Sequence, residues 1–314
     1  MNTTKDSISV ALACYNGIDY ISEQLDTIRT QTLPPDEVII ADDCSSDGTY
    51  EFCADYIARY SLTGWRVYRN AHNTGPQKNF RAVLAECSGE YIFTCDQDDI
   101  WMPDKIASMV SIMKEHPQIS LLTSNYIPLV SGKPAKVHMK YIDRDDGSVI
   151  PLRLQVSGLA NLRPGCTFCF RHKLLEKFSV MDIDEALHDA MLWKYAIVSD
   201  SLYLLNRQLM YWRRHEHVAT GVDFSGRPDV DTRIRDAYGS EEFHRKFMDN
   251  AEGLDIPPAN VRYMEKIIAF SYRRAHMLEK RSILRTVIFV LMNMNYYPTL
   301  RNALSDIYAM IFLK

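Results

Sequence analysis

The stretch Tyr91-Ile92-Phe93-Thr94-Cys95-Asp96-Gln97-Asp98-Asp99 runs from five uncharged, mostly apolar residues into three acids within four positions. A short apolar run of this kind reads as a strand buried on both faces, and the acids mark its carboxyl end. Toward the N-terminus, residues 9–13, Val38-Ile39-Ile40-Ala41 and Trp65-Arg66-Val67-Tyr68 repeat the strand pattern. Between them, Ile21, Leu25 and Ile28, then Phe52, Tyr56, Ile57 and Tyr60, then residues 80–85 recur at helical spacing. Strand and helix therefore alternate four times, the order of βαβ units on a parallel sheet. Further along, residues 119–123, 166–170 and 202–212 read as strands, 184–198 as a helix, 130–165 as a long surface excursion, and the chain from 229 onward as helices. The expected class is α/β: a Rossmann-like, mostly parallel sheet flanked by helices, with a C-terminal helical region. Gly221, Gly226 and Pro228 set a boundary near 220–228, dividing residues 1–225 from residues 226–314.

The 314 residues allow about two domains. With 46% apolar and 24% charged residues and a net charge of −4, composition excludes a collagen, a disordered acidic tail, a disulfide knot and a bulk nucleic-acid coat. No nucleic-acid partner is expected. Charge is unevenly placed. Residues 262–314 carry nine Lys/Arg and three acids, a local charge of +6. An acidic body suits a divalent cation and a basic tail suits an anionic surface. The start is polar, without a signal-peptide core, and the longest apolar run, residues 287–292, is far short of the roughly 20 residues of a membrane span. Seven cysteines lie mostly in apolar runs, as buried thiols do, which points to a reducing cytoplasm. Cys166-Thr167-Phe168-Cys169 is a lone CxxC, read as a structural thiol pair.

Carboxylates gather where strands end: Asp42 and Asp43 after the second, Asp96, Asp98 and Asp99 after the fourth. In an open parallel sheet ligands bind beyond these ends. Closely spaced acids repel, and Asp oxygens are hard ligands suited to Mg²⁺ or Mn²⁺, which would stabilise charge on a phosphate leaving group. Asp96 and Asp98 are read as functional; Asp99, ahead of Trp101-Met102-Pro103-Asp104, is read as the cap of the next helix.

These segments, taken in order, resemble family 2 glycosyltransferases: the opening strand of residues 9–17, Asp42-Asp43-Cys44-Ser45-Ser46-Asp47-Gly48-Thr49, and Ser88-Gly89-Glu90-Tyr91 leading into the Asp-rich turn. The form Asp96-Gln97-Asp98-Asp99-Ile100-Trp101 is similar to a branch rich in bacterial rhamnosyltransferase-like enzymes of surface polysaccharide assembly. The resemblance covers roughly residues 8–222. It implies the GT-A fold, a nucleoside-diphosphate sugar donor (dTDP-rhamnose or a UDP-hexose) and an Mn²⁺ or Mg²⁺ cofactor. It implies that Tyr15 stacks on a pyrimidine, Asp43 accepts its imide N–H, and Ala13 meets the base through backbone. Asp98 matches the metal-ligating aspartate, and Asp96 the one nearer the donor's ribose and sugar. Asn79 and Lys78 are read either as donor contacts or as loop and cap residues. In Leu187-His188-Asp189, Asp189 matches the general base of an inverting transfer, and His188 either orients a ligand or makes a structural hydrogen bond. In Tyr211-Trp212-Arg213-Arg214-His215, Arg213 matches an arginine for the diphosphate and His215 a third metal ligand, with His217 close enough to compete. Gly165-Cys166-Thr167 is read as core packing by default, with backbone contact to the implied acceptor pocket as the alternative, and Thr220-Gly221 falls in a loop over the diphosphate.

The implied activity is sugar transfer to a glycan or lipid-linked acceptor of a surface polysaccharide such as O-antigen or capsule. The basic tail is expected either on the cytoplasmic face of the inner membrane, as a helical lid, or as an oligomer contact. Two other classes stay open: a nucleotidyltransferase or nucleotide-sugar hydrolase, which usually has a Gly-rich basic loop after strand one, and a non-catalytic nucleotide-binding scaffold. Strand one here ends instead in Cys14-Tyr15-Asn16-Gly17.

Overall fold

A computed structural model describes residues 4–130, 133–134, 144–179, 188–214, 228–251 and 254–313. In chain order the elements are β1 (Thr4–Cys14), α1 (Ile21–Arg29), β2 (Glu37–Asp42), α2 (Thr49–Arg59), β3 (Trp65–Arg69), α3 (Pro76–Ala85), β4 (Gly89–Asp96), β5 (Ile100–Trp101), α4 (Lys105–Glu115), β6 (Leu121–Val130), β7 (Lys133–Pro134), β8 (Val149–Pro151), β9 (Phe168–Arg171), α5 (His172–Ser179), α6 (His188–Val198), β10 (Leu202–Arg214), α7 (Val230–Asn250), α8 (Pro258–Glu279), α9 (Ile283–Met292) and α10 (Leu300–Phe312). The chain divides into two compact units: Met1–Leu152 with Asn161–Ala196 and Ser201–Ala219, and Arg153–Ala160 with Ile197–Asp200 and Thr220–Lys314.

The first unit holds one sheet in the order β3-β2-β1-β4-β9-β6-β10-β5. Its first four strands are parallel, as their alternation with helices requires. β1, β2 and β4 hold continuous apolar runs, with Val10 to Leu12, Val38 to Ala41 and Ile92 to Phe93 wholly buried, whereas β3 at the sheet edge is only partly buried. Ile21, Leu25 and Ile28 of α1 are buried together, as their spacing predicts. Ala13 pairs with both Ala41 and Asp96, so the carboxyl ends of β1, β2 and β4 lie level. From β1 the chain turns one way to β2 and β3, then returns to β4 on β1's other side. That reversal is a topological switch point, the place in open α/β sheets beyond whose strand ends ligands bind.

Beyond β4 the sheet is mixed. β6 and β10 are parallel, but β9 runs antiparallel between β4 and β6, and β5 antiparallel to β10. The expected mostly parallel sheet is found, in the first four strands and in the long β6–β10 pairing, while the short antiparallel strands were not foreseen, because an apolar run such as Phe168–Arg171 carries no mark of its direction. The excursion at 130–165 is also less superficial than expected. Its β8 pairs with β10, and Arg163 is buried, donating through Nε (3.1 Å) and Nη2 (2.8 Å) to Asn125 Oδ1. Of the helix expected at 184–198, residues 184–187 lie outside the described residues.

The second unit is helical over its described C-terminal part, as expected. Asp229, Ser282 and Thr299 cap α7, α9 and α10 through their side chains. At its centre the fully buried Asp306 accepts two hydrogen bonds from Arg274 (both 2.7 Å), one from Arg233 (3.2 Å) and one from Tyr297 Oη (2.8 Å).

Candidate active site

The loops that leave β1, β2 and β4 at their carboxyl ends are tied together by side chains. Backbone N–H groups of Asn16, Gly17 and Ile18 donate to Ser45 Oγ (2.9 Å), Thr49 Oγ1 (2.9 Å) and Asp47 Oδ2 (3.0 Å). The Asp-rich motif of residues 42–49 thus fastens the turn after β1, leaving Asp42 and Asp43 to differ in role. Asp42 is wholly buried and accepts from Ser45 N (2.9 Å) and Arg69 Nε (3.2 Å). Asp43 accepts at Oδ1 from Asn70 Nδ2 (2.8 Å), Thr74 N (2.9 Å) and Thr74 Oγ1 (2.8 Å), and at Oδ2 from Gly75 N (2.8 Å). Burial pushes its carboxyl up, but these bonds outweigh it and hold Asp43 below its ordinary value. Oδ2, with one donor, keeps a lone pair for a further N–H.

Tyr15 follows Cys14, whose carbonyl accepts from Asp43 N, and is 47% exposed. Its backbone is gripped by a residue the sequence did not single out. Gln97 Oε1 accepts from Tyr15 N at 2.8 Å and Gln97 Nε2 donates to Tyr15 O at 3.1 Å. Gly17 makes room for this clamp: a Cβ there would meet Gln97 Oε1 at 2.3 Å. The signal in the sequence was the two-headed amide between the two functional acids, but nothing local names its partner.

Three expectations change. Asn79 is buried, donating to Ala41 O (2.9 Å) and accepting from Asn70 Nδ2 (2.9 Å), so it supports Asp43 from behind and presents no open surface to a donor. Arg213 Nε donates to Asp98 O (2.8 Å), its Nη2 pairs with Glu23 (2.7 Å), and its plane lies over Tyr20. It therefore shapes the Asp98 turn, and Glu23 already offsets the charge that was expected to meet a diphosphate. Asp99 is not a helix cap, since α4 begins at Lys105 with Asp104 at its cap position. Instead Asp99 is buried and accepts from Arg213 N (3.2 Å). Lys78 is exposed in the first turn of α3, and Ala13 is nearly buried at the end of β1. His215, His217, Thr220 and Gly221 lie outside the described residues.

The acids after β4 crowd one another. Burial, then the charge of Asp98, pushes Asp96 up to about 7. Burial and both neighbouring acids push Asp99 well above the carboxylate range. Asp96, Asp99 and the Cys166 thiol can each bring one ligand atom within 4.8 Å of the others. Burial also pushes that thiol well up, so it stays protonated, while the two carboxylates offer hard oxygens. Asp99 Oδ2 is buried beside the Cys166 thiol and takes no hydrogen bond from a nitrogen or hydroxyl donor of the described residues, so a cation bound there would displace the carboxyl proton. Below them lies Lys105, wholly buried, donating to Cys166 O (2.7 Å) over the Trp101 ring and lowered by burial to about 8. The Cys166–Cys169 pair is free and buried, as expected of structural thiols.

Asp189 sits in the first turn of α6, against Gly165. A Cβ at Gly165 would come 2.9 Å from Asp189 Cβ, and Gly165 O accepts from Thr94 Oγ1 of β4 at 2.6 Å. Asp189's charge is among those that raise Asp96. His188 is buried, stacked on Phe80 at 4.0 Å, and held by burial below its ordinary value, so it is neutral. A cavity of about 460 Å³ between Ser7, Glu37, Trp65 and Gly89 lies at the amino ends of the strands, away from all these groups.

A family model described as Glycosyl transferase family 2 matches residues 9–181, more than half of the chain. The chain belongs to glycosyltransferase family 2. It is 28% identical over 228 residues to the dTDP-rhamnosyl transferase RfbG of Shigella flexneri, covering 68% of this chain and 75% of that one. It is 38% identical over 116 residues to an uncharacterized protein of Mycobacterium tuberculosis, covering 36% of this chain; the match spans only about a third (33%) of that relative's length. Among solved structures, S. aureus TarS 1-349 in complex with UDP-GlcNAc superposes with a TM-score of 0.61 at 17% identity, over 97% of this chain and 90% of that one. The mannosyltransferase PcManGT from Pyrobaculum calidifontis, in complex with GDP-Man and Mn²⁺, gives 0.52 at 15% identity, over 99% and 89%. These likenesses establish the GT-A fold. In this family 2 glycosyltransferase the matched span includes both Asp-rich turns and Gly165, and ends before Asp189 and Arg213.

Proposed function

We propose that this chain is an inverting, metal-dependent glycosyltransferase that moves a sugar from a pyrimidine nucleoside diphosphate to a glycan or lipid-linked acceptor in surface polysaccharide assembly. The observation that carries the reading is the meeting of Asp189 with the acids of β4: Asp189 packs on Gly165, which Thr94 anchors to β4 two residues before Asp96. A base on that wall faces the strand end where a donor diphosphate would lie.

The exposed ring of Tyr15 would stack on the base, and the spare lone pair of Asp43 would accept its imide N–H, a pairing that suits uracil or thymine. Gln97 fixes Tyr15, and Asn70 and Asn79 fix Asp43. Asp98, Asp96 and Asp99 are the described groups that would hold Mn²⁺ or Mg²⁺, with His215 as a further ligand. The cation, when bound, would offset charge on the leaving diphosphate. Asp189 takes the proton of the acceptor hydroxyl as its oxygen bonds to the anomeric carbon, and the bond from that carbon to the diphosphate oxygen breaks. One displacement inverts the centre without a covalent enzyme intermediate. Lys78, exposed at the start of α3, would reach a phosphate as a point charge.

The dTDP-rhamnosyl relative and the UDP-GlcNAc-bound neighbour support dTDP-rhamnose or a UDP-hexose as donor. Free buried cysteines support a cytoplasmic site of action. The test is a donor panel (dTDP-rhamnose, UDP-GlcNAc, UDP-galactose, GDP-mannose) with Mn²⁺, followed by product analysis for wild type and Asp189→Asn. A pyrimidine donor should be used, and Asp189→Asn should lower transfer by about 10²–10⁴-fold with donor binding kept. Transfer by Asp189→Asn near the wild-type rate would overturn the base assignment; release of free sugar in place of glycoside would overturn the transferase reading.

A further inference from the structure

The last two helices are apolar on two sides. Inward, Val290 of α9 and Ala303, Ala309 and Met310 of α10 are buried in the core of the second unit. Outward, Leu284, Ile288 and Leu291 follow one another at i, i+4 and i+7 on α9, and Leu300, Leu304 and Ile311 at i, i+4 and i+11 on α10. All six are exposed, Leu284 by 70%, Leu291 by 68% and Leu300 by 62%. α9 and α10 pack on each other, so the two stripes belong to one helical hairpin. An outward apolar face of this extent marks a contact with something outside the unit.

Charge decides what that something is. Between residues 280 and 313 the basic residues are Lys280, Arg281, Arg285 and Arg301, all exposed; the acidic residues there reduce to Asp306, which is wholly buried under Arg233, Arg274 and Tyr297. Arg281 is already ion-paired with the exposed Asp231 of α7, so the face offers solvent its apolar side chains and the cations Lys280, Arg285 and Arg301, with no carboxylate from the hairpin itself. A second copy of the chain, packing this face on itself, would bring like charges together in a drying interface. An anionic lipid surface satisfies both features: side chains enter the acyl boundary while arginines remain at the headgroups. At 10 and 13 residues the two helices are too short to cross a bilayer, and among the described residues no helix is long and apolar enough to do so.

We propose that the outer face of the α9–α10 hairpin docks on an anionic lipid bilayer and lies in its interface, independently of sugar transfer. The experiment is sedimentation of the full chain with vesicles of phosphatidylcholine alone or with 30% phosphatidylglycerol, alongside sedimentation velocity without lipid. Wild type should bind the anionic vesicles, lose binding as salt rises, and bind neutral vesicles about tenfold or more weakly. The double variant Leu284→Asp/Leu291→Asp should lose vesicle binding, and Arg285→Glu/Arg301→Glu should lower it by about tenfold or more. Circular dichroism and donor binding, unchanged in both, show that the variants fold. Absence of binding by wild type, equal binding by the Leu284→Asp/Leu291→Asp variant, or a lipid-free dimer that this variant dissociates would each overturn the proposal, the last assigning the face to a second copy.

Discussion

At the scale of single residues, the informative side chains hold others in place. Gln97 uses both ends of its amide on the Tyr15 backbone. Gln97→Ala should therefore raise the KM for the donor by about tenfold, the effect of about one lost pair of hydrogen bonds, while kcat for a saturating donor stays within a few-fold. Gln97→Glu keeps the acceptor for Tyr15 N and loses the donor to Tyr15 O, so it should fall between; steady-state kinetics with KM unmoved in both variants would refute the clamp. Asp96 makes a second prediction. It ionises near 3.8 in an unfolded chain and at about 7 in the fold, so between those values the native state holds the extra proton. Stability should then fall as pH rises from about 4 to about 7. With a chelator present, Asp96→Asn should flatten that fall and melt higher than wild type at pH 8, while transferring no sugar. A wild-type melting curve already flat over that window counts against a raised Asp96. The acids were visible in the sequence as a cluster; which of them were buried, and which faced Arg213, was not. Asp99 reads locally as a cap because a helix follows, yet the sheet carries Arg213 N to it from 114 residues away.

At the scale of elements, β1, β2 and β4 were legible because a both-sides-buried strand needs an unbroken apolar run, β3 by its place between two helical segments, and helices between them leave the parallel arrangement. The direction of β9 and the burial of Arg163 were not legible, since neither is a property of a local window. The helices of the second unit turn on one acid. Asp306 of α10 joins Arg233 of α7, Arg274 of α8 and Tyr297. Removing one partner of a buried ion pair leaves the others uncompensated, so Asp306→Ala should cost about 3–5 kcal/mol, read as a lower urea midpoint. Replacing Asp306, Arg233 and Arg274 together by Leu, Met and Met should cost much less than that single change. Equal costs would show that the network is incidental to stability.

At the scale of the whole molecule, a sheet that gathers Asp96, Asp98 and Asp99 at one strand end invites a cation that binds only the folded chain. Mn²⁺ or Mg²⁺ at 100 times its dissociation constant should stabilise by about 2.7 kcal/mol, seen as a rise in melting temperature that a chelator reverses. Asp98→Asn should remove most of that rise; an unaltered rise would move the metal elsewhere. By itself the sequence determined the alternation of strands and helices, the acids at their ends and membership of the family, because burial and turn chemistry are written in neighbouring residues. The tertiary structure alone decided that Gln97 holds Tyr15, that Asn79 and Arg213 serve other residues, and that one face of α9 and α10 remains uncovered. Those outcomes depend on which strands lie side by side, and a hydrogen bond between positions 82 residues apart exists only once the sheet has closed that distance.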